Sequence, residues 1–238
     1  MDNLALDING EFDYAAKAKE KGISLPAPKT EAWKYTRLRD LLSTPYKPFL
    51  PSTQKGPVPF CEADVIDISN GRIISELPEI ENVIFARPQV FTEDSSHPFA
   101  QMNAAYLTQG LEIRIKAKLR RPIILNYHVS PLGECCLYHF RCRIVCEPDS
   151  NAEIIEQFTY EGEIKSCYLA NLVNEIKIGS NAVLKHYKYQ DEAYKAGHIA
   201  LHKVEIAAGG NYESFCLSKG ANTARNETEV SLNGEGAE

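Results

Sequence analysis

"IVCEPDSNAEII" (144–155) and "EIKIGSNAVLKH" (175–186) share one plan: an apolar strand, a small polar turn, then a second strand. The plan returns in "VEIAAGGNYESF" (204–215) and "VSLNGEGAE" (230–238). Aligning Ala152, Ala182, Asn211 and Ala237 gives intervals of 30, 29 and 26 residues. Periods of this size point to solenoids or propellers, and a propeller blade of about 40 residues with four strands is too large for them. Parallel strands need long returns, which a coiled stack of rungs supplies without helices. The expected fold is therefore mainly β, a parallel (right-handed) β-helix, with a β-sandwich as the second choice. One rung cannot bury its inner face alone, but stacked rungs share a continuous core.

Upstream, "LEIRIKAKL" (111–119), "PIILNYHV" (122–129) and "CLYHFRCRIVCE" (136–147) also read as strands. The chain divides near residue 98, into an N-terminal α/β region with helices (1–98) and a β-helix core (99–238). In the first part, Phe12, Ala15, Ala16 and Lys19 fall at helical spacing before Gly22, a C′ glycine. Asn70-Gly71 marks a tight hairpin, "NVIFARPQVF" (82–91) is a short apolar run, and "HPFAQMNAAYLTQG" (97–110) reads as a helix ended by Gly110. "KTEAWKYTRLRDLL" (29–42) holds the single Trp. With Pro26 and Pro28 before it, Thr30 as N-cap and Pro45 after it, the segment is expected to form a three-turn amphipathic helix. Its apolar stripe would be Ala32, Tyr35, Leu38 and Leu42, widened by Trp33 and Leu41.

The 238 residues are 44% hydrophobic and 24% charged, with a net charge of -6. That balance gives no footprint for nucleic acid, and "KAKLRR" (116–121) fits a solvated turn. "MDNLALDING" (1–10) is not a signal sequence, and no stretch is apolar enough to span a membrane. The seven Cys, an odd number without C-x-x-C spacing, imply free thiols and a cytoplasmic location. Cys142 and Cys146 share a strand face with Ile144 and read as core.

No residue is assigned as catalytic, cofactor-binding or metal-ligating. Glu227 and Glu229 share a strand face but are expected in solvent, with Val230 and Leu232 in the core. The five His of the β-rich part, at 128, 139, 186, 198 and 202, read as strand surface or satisfied core. One alignment stands out: the 30-residue interval carries Glu156 onto His186, ~5 Å away on the next rung. Ile154 and Leu184 should point inward, and Glu156 and His186 with them, as a buried pair. A bulge after Ile154 would instead turn both to water. A β-helical carbohydrate enzyme, which would need clustered acids, and a purely structural interaction module remain as alternatives.

Five stretches resemble, in order, the SufB/SufD family of the Suf iron–sulfur cluster assembly machinery. They are "PAPKTEAWKYTRL" (26–38), "PFAQMNAAYLTQGLEIRI" (98–115), "RPIILNYHV" (121–129), "NEIKIGSNAVLKHYKYQ" (174–190) and "SFCLSKGANTARNETEVSLNGEGAE" (214–238). "EAWKYT" (31–36) favours the SufD branch. The resemblance implies a non-catalytic subunit that pairs with SufB through its β-helix and works with the ATPase SufC. The Fe-S cluster would be assembled on the full complex, with no cofactor assigned to this chain. It also implies that the chain stops after the first part of the family's β-helix, so that self-association through an open end is expected.

Overall fold

The computed structural model describes residues 11–27, 30–36, 38–57, 61–91, 96–130, 135–162 and 167–238. "MDNLALDING", Pro28, Lys29 and Arg37 lie outside these. In chain order the elements are α1 (Tyr14–Glu20), a 3-10 turn (Glu31–Trp33), α2 (Leu38–Ser43), β1 (Lys47–Pro48), β2 (Asp64–Ser69), β3 (Arg72–Ile73), β4 (Val83–Ala86) and α3 (Pro98–Ala105). Then come only strands: β5 (Gln109–Ile115), β6 (Ile123–Val129), β7 (Cys136–Cys146), β8 (Asn151–Tyr160), β9 (Tyr168–Ile178), β10 (Val183–Glu192), β11 (Gly197–Ile206), β12 (Asn211–Gly220) and β13 (Thr223–Leu232).

The later strands form two parallel sheets facing each other. One runs β13-β11-β9-β7-β5-β4, the other β12-β10-β8-β6-β2-β3. Each rung contributes one strand to each sheet, which is the expected parallel β-solenoid. The first strands come from before residue 98: β2 pairs in parallel with β6, β1 with β7, and β4 antiparallel with β5.

The period differs from the one read off the sequence. Ala152 lies opposite Leu184, an offset of 32 residues, and the next step, Val183 to Asn211, is 28. The corners explain the error. Asp149, Asn181, Gly209 and Gly236 all have positive φ, so the left-handed residue, rather than the small residue after it, is the repeating feature. These corners stack: Asn181 Nδ2 donates to Asp149 Oδ1 at 3.2 Å, and the Gly209 N–H donates to the Glu235 carbonyl. Asn and Asp tolerate this backbone, and Gly209 needs it most, because a Cβ there would meet Asn181 Oδ1 at 2.5 Å.

The N-terminal elements depart from the sequence reading. Residues 29–42 do not form a three-turn helix. The described part holds a three-residue 3-10 turn and then α2, Thr30 makes no side-chain cap bond, and Tyr35 is exposed. Leu38, Leu41 and Trp33 are buried. Helix α1 is capped by Asp13 and buries Tyr14 and Ala18, four apart, while Ala15 and Ala16 face solvent. Gly22 has the positive φ expected after a helix end. Helix α3 stops at Ala105; Gly110 lies within β5, where a side chain would collide with Phe91. The Asn70-Gly71 hairpin joins β2 to β3 as expected, with both residues at positive φ. Phe12, Tyr14, Trp33, Phe99 and Tyr106 form a second apolar cluster that seats these segments on Leu137, Leu169 and Ile199 of β7, β9 and β11.

The cysteines are not all free. Cys135 and Cys167 are joined by a disulfide across neighbouring rungs, because Cys136 pairs with Tyr168 and puts the preceding residues side by side. Cys142 and Cys146 are buried thiols beside Ile144, as read. No helix among the described residues is long and apolar enough to cross a membrane.

Candidate functional site

In-register parallel stacking turns each inward position into a column, and several columns change from apolar to polar along the solenoid. Leu125 is followed by Glu156, Lys188 and Cys216. Tyr127 is followed by Phe158, Gln190 and Ser218. On the other sheet Cys142 is followed by Asn174, His202 and Thr228, and Tyr138 by Ala170, His198 and Ala224. Early rungs therefore have an ordinary hydrocarbon interior, and later rungs enclose acids, imidazoles and an amine.

Glu156 and His186 are both buried, and His186 Nε2 lies 2.9 Å from Glu156 Oε1. Of the two readings of this pair, the inward one holds and the bulge that would have turned both to water is absent, although the register is not the expected one. Glu156 lies opposite Lys188 and His186 opposite Ile154, so the pair is diagonal. An error of two residues preserves the strand face, whereas an error of one would have reversed it. Asn174 Nδ2 donates to the same carboxylate oxygen from across the interior, and His186 Nδ1 lies 2.9 Å from the Tyr212 hydroxyl. Burial works to raise the Glu156 pKa. The His186 hydrogen bond and charge, helped by His202 and Lys188, outweigh it and hold the carboxyl well below its usual range. A buried carboxylate without such partners would cost several kcal/mol.

His202 completes this group. Its ring centroid is 5.0 Å from that of His186, and one ligand atom from each of Glu156, His186 and His202 lies within 4.8 Å of the others. Burial drives the His202 pKa down to about 3, so its imidazole is neutral at physiological pH. Sequence reasoning missed His202 because it sits on the opposite sheet. The available signal was its spacing from His198: four residues on a strand share a face.

A second buried group adjoins the first. Lys188 Nζ lies 2.7 Å from His198 Nε2 and donates to Asn226 Oδ1 at 2.6 Å. His198 Nδ1 approaches Glu192 Oε2 to 2.8 Å, close enough for an ion pair but off the hydrogen-bond direction. Gln190 Nε2 donates to the same Glu192 oxygen, and Ser218 Oγ donates to Gln190. Burial lowers the Lys188 pKa, opposed by the Glu156 charge. Burial likewise lowers that of His198, opposed by Glu192.

The other singled-out residues lie elsewhere. Glu227 is not a free surface acid: it pairs with His97 and Arg225, whereas Glu229, Val230 and Leu232 are exposed on the outermost strand β13. Val230 and Leu232 stack over buried Val204 and Ile206, and among the described residues no further rung covers them. His128 is buried beside Thr159 and near Glu161, away from the interior groups. His139 is buried among the rings of Phe12 and Tyr14 with neither nitrogen hydrogen-bonded.

No match to a curated protein was found for this chain. A family model described as "SUF system FeS cluster assembly, SufBD core domain" matches residues 133–238, the stretch that holds β7 to β13 and both buried polar groups. Over that stretch the chain is similar to the SufBD core domain of the SUF iron–sulfur cluster assembly system, and the stacked parallel sheets described above run through it.

Proposed function

We propose that this protein is a SufD-like, non-catalytic subunit of an iron–sulfur assembly scaffold, pairing with SufB and working with the ATPase SufC. The observation that carries the reading is the coincidence of the SufBD core match with rungs β7 to β13. The sequence motif "EAWKYT" (31–36) supports the SufD branch. The chain has no G-x-x-x-x-G-K-[ST] loop to cradle phosphates, so nucleotide chemistry is assigned to SufC. The interior acids Glu156 and Glu192 are enclosed rather than set in a groove, which gives no support to a carbohydrate-cleaving reading.

Co-expression with tagged SufB and SufC, followed by affinity purification, tests the proposal. The chain should co-purify with SufB, and the complex should gain SufC. Failure to bind either partner, with the chain folded by circular dichroism, would overturn it.

A further inference from the structure

We propose that Glu156, His186 and His202 form a binding site for one divalent first-row transition metal ion inside the solenoid. The three donors come from β8, β10 and β11, so both sheets converge on one point. A carboxylate with two imidazoles suits Zn²⁺, Co²⁺ or Fe²⁺, with remaining positions open. This inference concerns the chain's own chemistry and does not depend on its partners.

Two features distinguish this group from a merely satisfied core network. First, His202 is buried beside the ion pair, yet its ring has no hydrogen-bond partner among the described residues. A ligand ring with nothing to give up is free to turn. Second, the ligand atoms, within 4.8 Å of one another, need to close by at most about 1.4 Å to reach the spacing of about 3.4 Å set by tetrahedral bonds of about 2.1 Å. Rotation of the His202 ring supplies that movement without disturbing the backbone.

The surroundings fit a ligand set as well. Tyr212 holds His186 through Nδ1, leaving Nε2 directed at Glu156, the arrangement that orients metal-bound imidazoles. A hydroxyl both donates and accepts, so Tyr212 serves whether Nδ1 carries the proton or lacks it. A metal that enters between Nε2 and Oε1 takes the Nε2 lone pair, and the ring proton then sits on Nδ1, where the Tyr212 hydroxyl accepts it. Asn174 keeps its bond to the carboxylate and fixes its plane. Lys188 is the opposing element: an amine next to Glu156 in the same column, one rung on, disfavours a second cation.

The test uses the full chain with its two exposed free thiols replaced, Cys61→Ser and Cys216→Ser, after chelator treatment. Titration with Co²⁺ alone should show one equivalent bound, with ligand-field bands of nitrogen and oxygen ligation and no thiolate charge-transfer band. His202→Ala should weaken Co²⁺ binding at least about tenfold while leaving the unfolding midpoint nearly unchanged, because the ring holds no other group. Glu156→Gln, which keeps the shape, should also lose the metal. Lys188→Gln should tighten binding. Absence of Co²⁺ binding, sulfur ligation, or undiminished affinity in His202→Ala would overturn the site. If Glu156→Gln or Lys188→Gln fails to fold, the His202→Ala comparison still decides.

Discussion

The guanidinium of Arg225 lies 3.9 Å from the centroid of the Trp33 ring, joining the N-terminal 3-10 turn to the outermost strand β13. The same guanidinium donates through Nη1 to Thr36 Oγ1 and through Nε and Nη2 to both carboxylate oxygens of Glu227. Glu227 in turn contacts His97, whose ring faces Trp33 at 5.6 Å. A segment nearly two hundred residues away in sequence thus braces the solenoid at this strand. Trp33 is buried by that brace and by Phe99.

Trp33→Ala should destabilise the protein by about 3–5 kcal/mol, the usual cost of emptying a large aromatic site. Arg225→Ala should cost about 0.5–1 kcal/mol, since the guanidinium is partly open to solvent. Urea unfolding measures both. Because Trp33 is the single Trp, its fluorescence reports this contact directly, and Arg225→Ala should red-shift emission in the native state. Unchanged emission would mean that the stacking contact is absent in solution.

His139 is an orphan imidazole, and its loss should be tolerated. Burial lowers its pKa to about 3. Between the ordinary value of about 6.5 and about 3, the unfolded chain takes up a proton that the folded one refuses. The cost of keeping His139 neutral therefore grows as pH falls through that window, by about 1.4 kcal/mol per unit, and vanishes above it. His139→Leu should leave stability at neutral pH unchanged or raise it by about 1–2 kcal/mol. Its advantage over the parent should widen toward pH 5. His128, His198 and His202 also have lowered pKa values, so the difference between the two proteins, not the parent slope alone, isolates His139. A difference flat with pH would refute the assignment.

The corner ladder should show the opposite sensitivity. Asn181→Ala removes the bond to Asp149 and places an alanine at φ 56°, for about 1–2 kcal/mol in total. Asn181→Gly loses the bond but not the backbone fit, and should cost less. Equal losses by chemical denaturation would mean that the hydrogen bond, not the left-handed backbone, sets the corner.

Alternation, polar turns and a period near 30 were enough to read parallel stacked rungs from the sequence, because burial of one strand face requires that pattern. The same parity placed Glu156 and His186 indoors together. Strand face depends only on odd or even position, so it survived a register error of two. The register itself was decided by the tertiary structure: a corner is set by one left-handed residue, and Asp149, Asn181 and Gly209 play that part with different side chains and spacings. The meeting of His202 with Glu156, and of Cys135 with Cys167, follows from that register and from how the two sheets face each other. The N-terminal segment had no period to fix it. Its spacing suggested a helix over 29–42, but the fit of Trp33 between Phe99 and Arg225 and the packing of Leu38 and Leu41 outweighed local helix preference. Local pattern determines which way a side chain faces. Which distant side chain it meets is decided only when the rungs close.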